Sequence, residues 1–126
     1  STAPVESCHV LPIDAMRVPE LSFWAAWDGD ALLGVGGLYE LSSDHGEIKS
    51  MHTAQAGRRR GVGVAMLNHI MQTARDRRMP RLSLETGAMD SFIPARTLYE
   101  RAGFSYCPPF GDYVDDPNSG FMTRTL

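Results

Sequence analysis

A chain of 126 residues, 43% hydrophobic and 21% charged, has the size and composition of one soluble globular domain, residues 1–126, that closes its own core. Its formal net charge of −3 gives no global electrostatic reason to bind nucleic acid or an anionic membrane. No apolar run approaches the roughly 18 residues of a membrane-spanning helix, and Cys8 and Cys107 are too few for a disulfide framework, which suits a reduced, cytoplasmic protein.

The chain starts on Ser rather than Met, the mark of a processed, trimmed or partial start. Residues 1–20 hold Pro4, Pro12 and Pro19 and predict an irregular or briefly helical lead-in. Two apolar runs, Leu21 to Trp27 and Ala31 to Leu41, flank Asp28-Gly29-Asp30, a strong hairpin signal. Gly34, Gly36 and Gly37 inside the second run predict a bulge or the close approach of another backbone or a ligand. "SSDHG" is a second turn and "EIKSMHTA" a third strand. Val62 to Arg78 reads as a helix, with Leu67, Ile70, Met71 and Ala74 at i, i+3, i+4, i+7. Arg75, Arg77 and Arg78 suit its negative end, and Pro80 bars continuation. "RLSLETG" is a short strand. A second helix follows, capped by Asp90 or Ser91, with Pro94 in its first turn, the face Ala95, Leu98, Tyr99, Ala102, and Gly103 as its stop. "FSYC" and "FMTRTL" are strand-like around the turn-rich "PPFGDYVDDPNSG". A hairpin meander feeding βαβ units implies an α/β (α+β) fold, a mixed sheet with helices against it.

The stretch "QAGRRRGVGVAML", Gln55 to Leu67, carries the most chemistry. A strand ends near Thr53, a loop of Arg and Gly follows, and a helix begins near Val62. The first turn of a helix has unpaired N–H groups and partial positive charge. Glycine lets backbone amides approach an anion, and arginine adds bidentate donors. Together these make an anion site; the plainer alternative is a solvated basic loop ahead of an ordinary helix. The Lys and Ser/Thr of a P-loop are absent, and Met66 stands where a dinucleotide fingerprint needs its third glycine. Net acidity, and the lack of stacking aromatics beside Arg58, Arg59 and Arg60, argue against a nucleic-acid contact.

The pattern R-x-x-G-x-G, Arg58 to Gly63, resembles the acetyl-CoA pyrophosphate loop of the GNAT superfamily of N-acetyltransferases. "ARTLYERAGF", Ala95 to Phe104, is similar to a second motif of that family, with one strand between the two as the family requires. The resemblance covers residues 21–126 and implies a mostly antiparallel, twisted sheet and acetyl-CoA as cosubstrate. It implies a pantetheine site on the strand at Met51, His52 and Thr53. It places the pyrophosphate on the loop at Arg58, Arg59, Arg60, Gly61, Val62, Gly63 and Val64. Tyr99 matches the tyrosine that protonates the departing thiolate; a phenol near 10 and a thiol near 8.5 permit that transfer. A core aromatic on an apolar helix face is the other reading of Tyr99. Glu47, eleven positions before Arg58, matches a glutamate that several members carry and is the candidate base. It could equally be a surface strand residue beside Lys49. Glu85, on the next strand, is a second candidate base or substrate contact.

The loop Phe110 to Ser119 corresponds to a substrate wall in which Asp112 and Tyr113, with Asp115 and Asp116, face a cationic amine; a solvated acidic turn is the alternative. His9, His45 and His69 have no metal-ligand spacing with Cys or acid partners, so no metal is expected. Trp24 and Trp27 are core or substrate-wall aromatics. Two departures from the family stand out. Phe92 occupies a position where members often carry Asn. And only twenty residues precede Leu21, so the usual N-terminal strand and helices are expected to be missing, leaving Leu21–Trp27 as an exposed edge. That implies a truncated form, or a homodimer that completes the sheet. The reading is an acetyl-CoA-dependent N-acetyltransferase acting on a small-molecule or peptide amine. The alternative is an inactive CoA-binding or regulatory module.

Overall fold

The computed structural model describes residues 9–13, 19–58 and 60–126. Seven strands form one sheet: β1 (His9–Ile13), β2 (Leu21–Asp28), β3 (Ala31–Ser42), β4 (His45–Thr53), β5 (Arg81–Gly87), β6 (Ser105–Tyr106) and β7 (Ser119–Thr125), in the order β1-β2-β3-β4-β5-β7-β6. Among the described residues only β4 and β5 run parallel. They are joined by α1 (Val62–Asp76), and α2 (Ile93–Arg101) follows β5. The mixed, mostly antiparallel α/β class is thus as expected.

The lead-in is not wholly irregular. Residues His9–Ile13 pair with Ile13 opposite Phe23 and His9 opposite Trp27. The hairpin strand Leu21–Asp28 is therefore interior, and the sheet edge lies at β1. Pro12 sits on that edge, where it withholds a donor, so the exposed edge assigned to Leu21–Trp27 is corrected. No helix separates β1 from β2 among the described residues.

The local signals act as chemistry dictates. Gly29, at φ 58°, makes the β2–β3 turn. Along α1, Val62, Met66, Leu67, Ile70, Met71 and Ala74 are buried against β3 and β4. A Cβ on Gly36 would stand 2.8 Å from the Met66 side chain, so this glycine is what lets α1 lie close. The helix ends at Asp76, short of Arg78, because Arg77 leaves helical geometry and Arg78 takes φ 61°. Asp90 and Ser91 do not cap α2. They form a one-turn 3₁₀ segment, Asp90–Phe92, and Phe92 precedes the helix without a side-chain cap. Pro94 lies in the first turn of α2, and Gly103, at φ 93°, ends it.

Both helices cover one face of the sheet. Leu33, Leu38, Leu82, Leu84 and Met122 lie fully buried beneath them, each worth roughly 1.5–3 kcal/mol of transfer free energy. The opposite face carries Glu47 and Ser83, cross-strand neighbours on β4 and β5, and is covered in part by the loop through Phe110 and Tyr113.

Candidate active site

The site begins where β4 loses a partner. β4 pairs with β5 only from His45 to Ile48. Beyond that, β5 follows β7 while β4 stays with β3. Gly36 of β3 faces two residues of β4, Ser50 and Met51, because Gly37 pairs with Lys49 and Val35 with His52. This is a β-bulge, and Ser50 takes φ 55° within it. The β4 backbone from Met51 to Thr53 therefore turns unpaired groups toward a split in the sheet.

A cavity of about 740 Å³ lies along this split and the loop after β4. Met51, His52 and Thr53 line it, with Arg58, Gly61, Val62, Gly63 and Val64. Gly61 is the cap of α1 at φ 74° and offers no side chain. The first bond of the helix runs from the Ala65 N–H to the Gly61 carbonyl, at 3.0 Å. The amides of Val62, Gly63 and Val64 therefore have no helical acceptor. Gly63 lets α2 approach, since a Cβ there would be 3.2 Å from Leu98 Cδ2. Two details differ from expectation. The Arg58 N–H already donates to the Gln55 carbonyl at 3.2 Å. The Arg60 guanidinium lies 2.7 Å from the Asp28 carboxylate, away from the cavity, because the sheet brings the β2–β3 turn beneath the loop. Arg59 lies outside the described residues.

Tyr99 lines both this cavity and a neighbouring one of about 540 Å³ in the throat of the split. It is 6% exposed, edge-on to Phe104 at 6.0 Å. Burial pushes its hydroxyl up to about 12, so the phenol keeps its proton. The throat also holds Ser50, Glu85 and Phe92. The Phe92 ring lies across Gly87, where an added Cβ would stand 2.2 Å from it. Arg96 donates to the carbonyls of Gly87 (2.7 Å) and Met89 (3.0 Å) and ties α2 to the end of β5. The Glu85 carboxylate accepts from the Ser119 hydroxyl at 2.8 Å.

Ser50 links the throat to a cleft of about 510 Å³ on the other side of the sheet. Glu47 lies there, 3% exposed, which rules out the surface reading. A carboxylate so buried needs donors, and the Tyr113 hydroxyl supplies one at 2.6 Å. Lys49 is 3.5 Å away. Burial, and then that bond to Glu47, push the Tyr113 hydroxyl well above the usual phenol range. Phe110, Tyr113 and Phe121 pack ring on ring at 5.2–5.9 Å and hold the loop on the sheet. Asp112 lines the cleft. Asp115 and Asp116 do not, and Asp116 instead accepts from the Asn118 N–H in a local turn.

His45 Nε2 and the Ser83 hydroxyl are 2.7 Å apart, and Ser83 is 2.9 Å from the Thr123 hydroxyl. Burial and the Arg81 charge hold His45 below the usual imidazole range against Asp44 and Glu47. His52 is exposed at the cavity wall. Trp24 is core, edge-on to His69 at 5.0 Å. Among the described residues no three His, Cys, Asp or Glu cluster as metal ligands, and no helix is long and apolar enough to cross a membrane. Cys8 lies outside those residues; Cys107 is a free thiol. Sequence reasoning missed the Tyr113–Glu47 bond, the Arg96 tether and the aromatic cluster. The alternation of His45, Glu47 and Lys49 on one strand face was the available signal for the cleft.

Comparison with known proteins gives the family and the fold. The acetyltransferase (GNAT) family model matches residues 3–104. The chain is 55% identical over 124 residues to the uncharacterized N-acetyltransferase YsnE of Bacillus subtilis (strain 168), covering 98% of this chain and 82% of that protein. It is 47% identical to the uncharacterized N-acetyltransferase YedL of Escherichia coli (strain K12), covering 98% and 78%. The fold matches a GNAT family acetyltransferase from Elizabethkingia anophelis, determined with acetyl-CoA bound, at TM-score 0.77 and 16% identity over 96% of this chain and 99% of that one. The chain belongs to the GNAT acetyltransferase family and is an acyltransferase.

Proposed function

We propose that the protein transfers an acetyl group from acetyl-CoA to a primary amine by direct attack, with Glu47 as base and Tyr99 as acid. One observation carries this reading. The split between β4 and β5 joins the cavity at the α1 N-terminus to the Glu47 cleft, and Ser50 and Tyr99 line its throat.

Bound acetyl-CoA supplies an acyl group already activated as a thioester. The amides of Val62, Gly63 and Val64 hold its pyrophosphate at the positive end of α1. Met51, His52 and Thr53 offer backbone groups to its arm where β5 has left them. Arg58 adds charge at the mouth of the same cavity, whereas Arg60 is committed to Asp28. The Met51 amide steadies charge that develops on the carbonyl oxygen. An amine arrives as ammonium and must lose a proton before it attacks; Glu47, directly or through water, takes it. The Tyr113 hydroxyl, donating to Glu47 at 2.6 Å, fixes the position of the carboxylate in the cleft. Tyr99, still protonated at neutral pH, returns a proton to the departing sulfur. Glu85, bonded to Ser119 in the throat, is the alternative base.

Thiol release measured over a panel of primary amines tests the proposal. Release that depends on an amine is the expected result. CoA binding without turnover of any amine contradicts it and leaves a CoA-binding module.

A further inference from the structure

The Glu47 cleft holds a second charge that the transfer chemistry leaves unused. Lys49 follows Glu47 by two residues on β4 and so shares its face. Its ammonium stands over the rings of Tyr39 and Tyr113, 5.7 and 5.8 Å from their centroids. It is 3.5 Å from the Glu47 carboxylate and 3.5 Å from the Tyr113 hydroxyl. Charge-assisted bonds of this kind close to about 2.7–2.9 Å, and Glu47 already takes its short bond, 2.6 Å, from Tyr113. The lysine is therefore steered by two aromatic faces while its donors stay open to the cleft, with the side chain 39% exposed.

A cation fixed beside the base repels an acceptor that presents only an ammonium. It favours one that brings a negative group with it. The nitrogen and carboxylate carbon of an α-amino acid lie about 2.5 Å apart. A nitrogen placed at Glu47 thus sets the carboxylate against Lys49. One wall of the cleft is largely apolar: Leu21 and Phe23 of β2 and Tyr39 and Leu41 of β3 line it half-buried. Phe23 lies over Gly37, where an added Cβ would meet its ring at 2.8 Å. Among the described residues Asp112 is the remaining charged group of the cleft, on its exposed rim, and it suits the ammonium end.

From this arrangement we infer that the acceptor is an amine with a carboxylate on the adjacent carbon and an apolar or aromatic side chain, its carboxylate bound by Lys49. The inference rests on the Glu47 cleft being the acceptor side, so binding and transfer are read separately. L-phenylalanine is compared with phenethylamine and L-phenylalaninamide, which keep the ring and lack the carboxylate. Calorimetry on the CoA-loaded protein and acetyl transfer are both measured for wild type, Lys49→Gln and Lys49→Arg. One charge-assisted contact predicts a roughly 10- to 100-fold preference for the acid. The preference falls to near unity in Lys49→Gln and is largely kept in Lys49→Arg. Equal handling of the three compounds by wild type, failure of all three to bind, or a preference that survives Lys49→Gln overturns the inference. A binding preference without transfer to any of them upholds the carboxylate site and counts against the transfer reading instead.

Discussion

At Gly57 a single methyl group would stand 2.3 Å from the carbonyl oxygen of Leu33. That oxygen already accepts the Ala54 N–H at 2.8 Å, so neither side can yield cheaply. Gly57→Ala is expected to cost about 1–3 kcal/mol, read as a fall in Tm. It should also raise the KM for acetyl-CoA, because the loop it anchors lines the cavity proposed to hold the cosubstrate. Ser50 presents the opposite case. A non-glycine residue at φ 55° carries about 1–2 kcal/mol of strain. Ser50→Gly should therefore hold or raise Tm in thermal melts, whereas Ser50→Val should lower it. For Tyr99 the pH dependence has a definite sign. An acid whose pKa is raised to about 12 stays protonated as pH rises through the ordinary phenol value. The kcat–pH profile should show no falling limb from this group below about pH 10. A limb there that disappears in Tyr99→Phe would show that the hydroxyl titrates earlier than its burial implies.

Among the elements, the split between β4 and β5 is what makes a site out of a sheet, and α2 must hold its position for the split to stay open. Arg96 fixes α2 to the carbonyls of Gly87 and Met89. Arg96→Met keeps most of the apolar stem and removes both bonds. It should cost roughly 1–3 kcal/mol and raise the acetyl-CoA KM more than the amine KM in steady-state kinetics. The elements themselves were largely legible in the sequence. Asp28-Gly29, the apolar face of α1, Pro80 and Gly103 are local signals, and each acts within a few residues of itself. The short strand β1 was hidden by Pro12 within it and by Pro4 and Pro19 around it, since pairing with β2 is a tertiary contact that no turn signal announces. The N-cap of α2 was misread because Asp90 and Ser91 suit a 3₁₀ turn as well as a cap.

Over the whole molecule, the helices close one face and leave the cavities and the Glu47 cleft at the junction with the other. The loop proposed to hold the cofactor could be singled out because its glycines, its arginine and the α1 N-terminus lie within one short segment. Glu47, Asp112 and Tyr113 were each singled out, but not that they share one cleft, because Glu47 meets Tyr113 across a separation of 66 residues. Arg60 finds Asp28 across 32, which no local pattern foretells. Binding of acetyl-CoA to the folded chain alone should stabilise it by about 2.7 kcal/mol at a hundredfold excess over Kd. A chain of this length should then gain roughly 10 °C in Tm, visible in a melt with and without the cosubstrate. In the proposed reaction one proton leaves through Glu47 and another returns from Tyr99. The most direct measurement is kcat for an accepted amine in wild type, Glu47→Gln and Tyr99→Phe, with the acetyl-CoA KM followed in parallel. We predict that kcat falls about 100-fold or more in each variant while that KM stays within about twofold of wild type. Full kcat in either variant contradicts the role assigned to that residue.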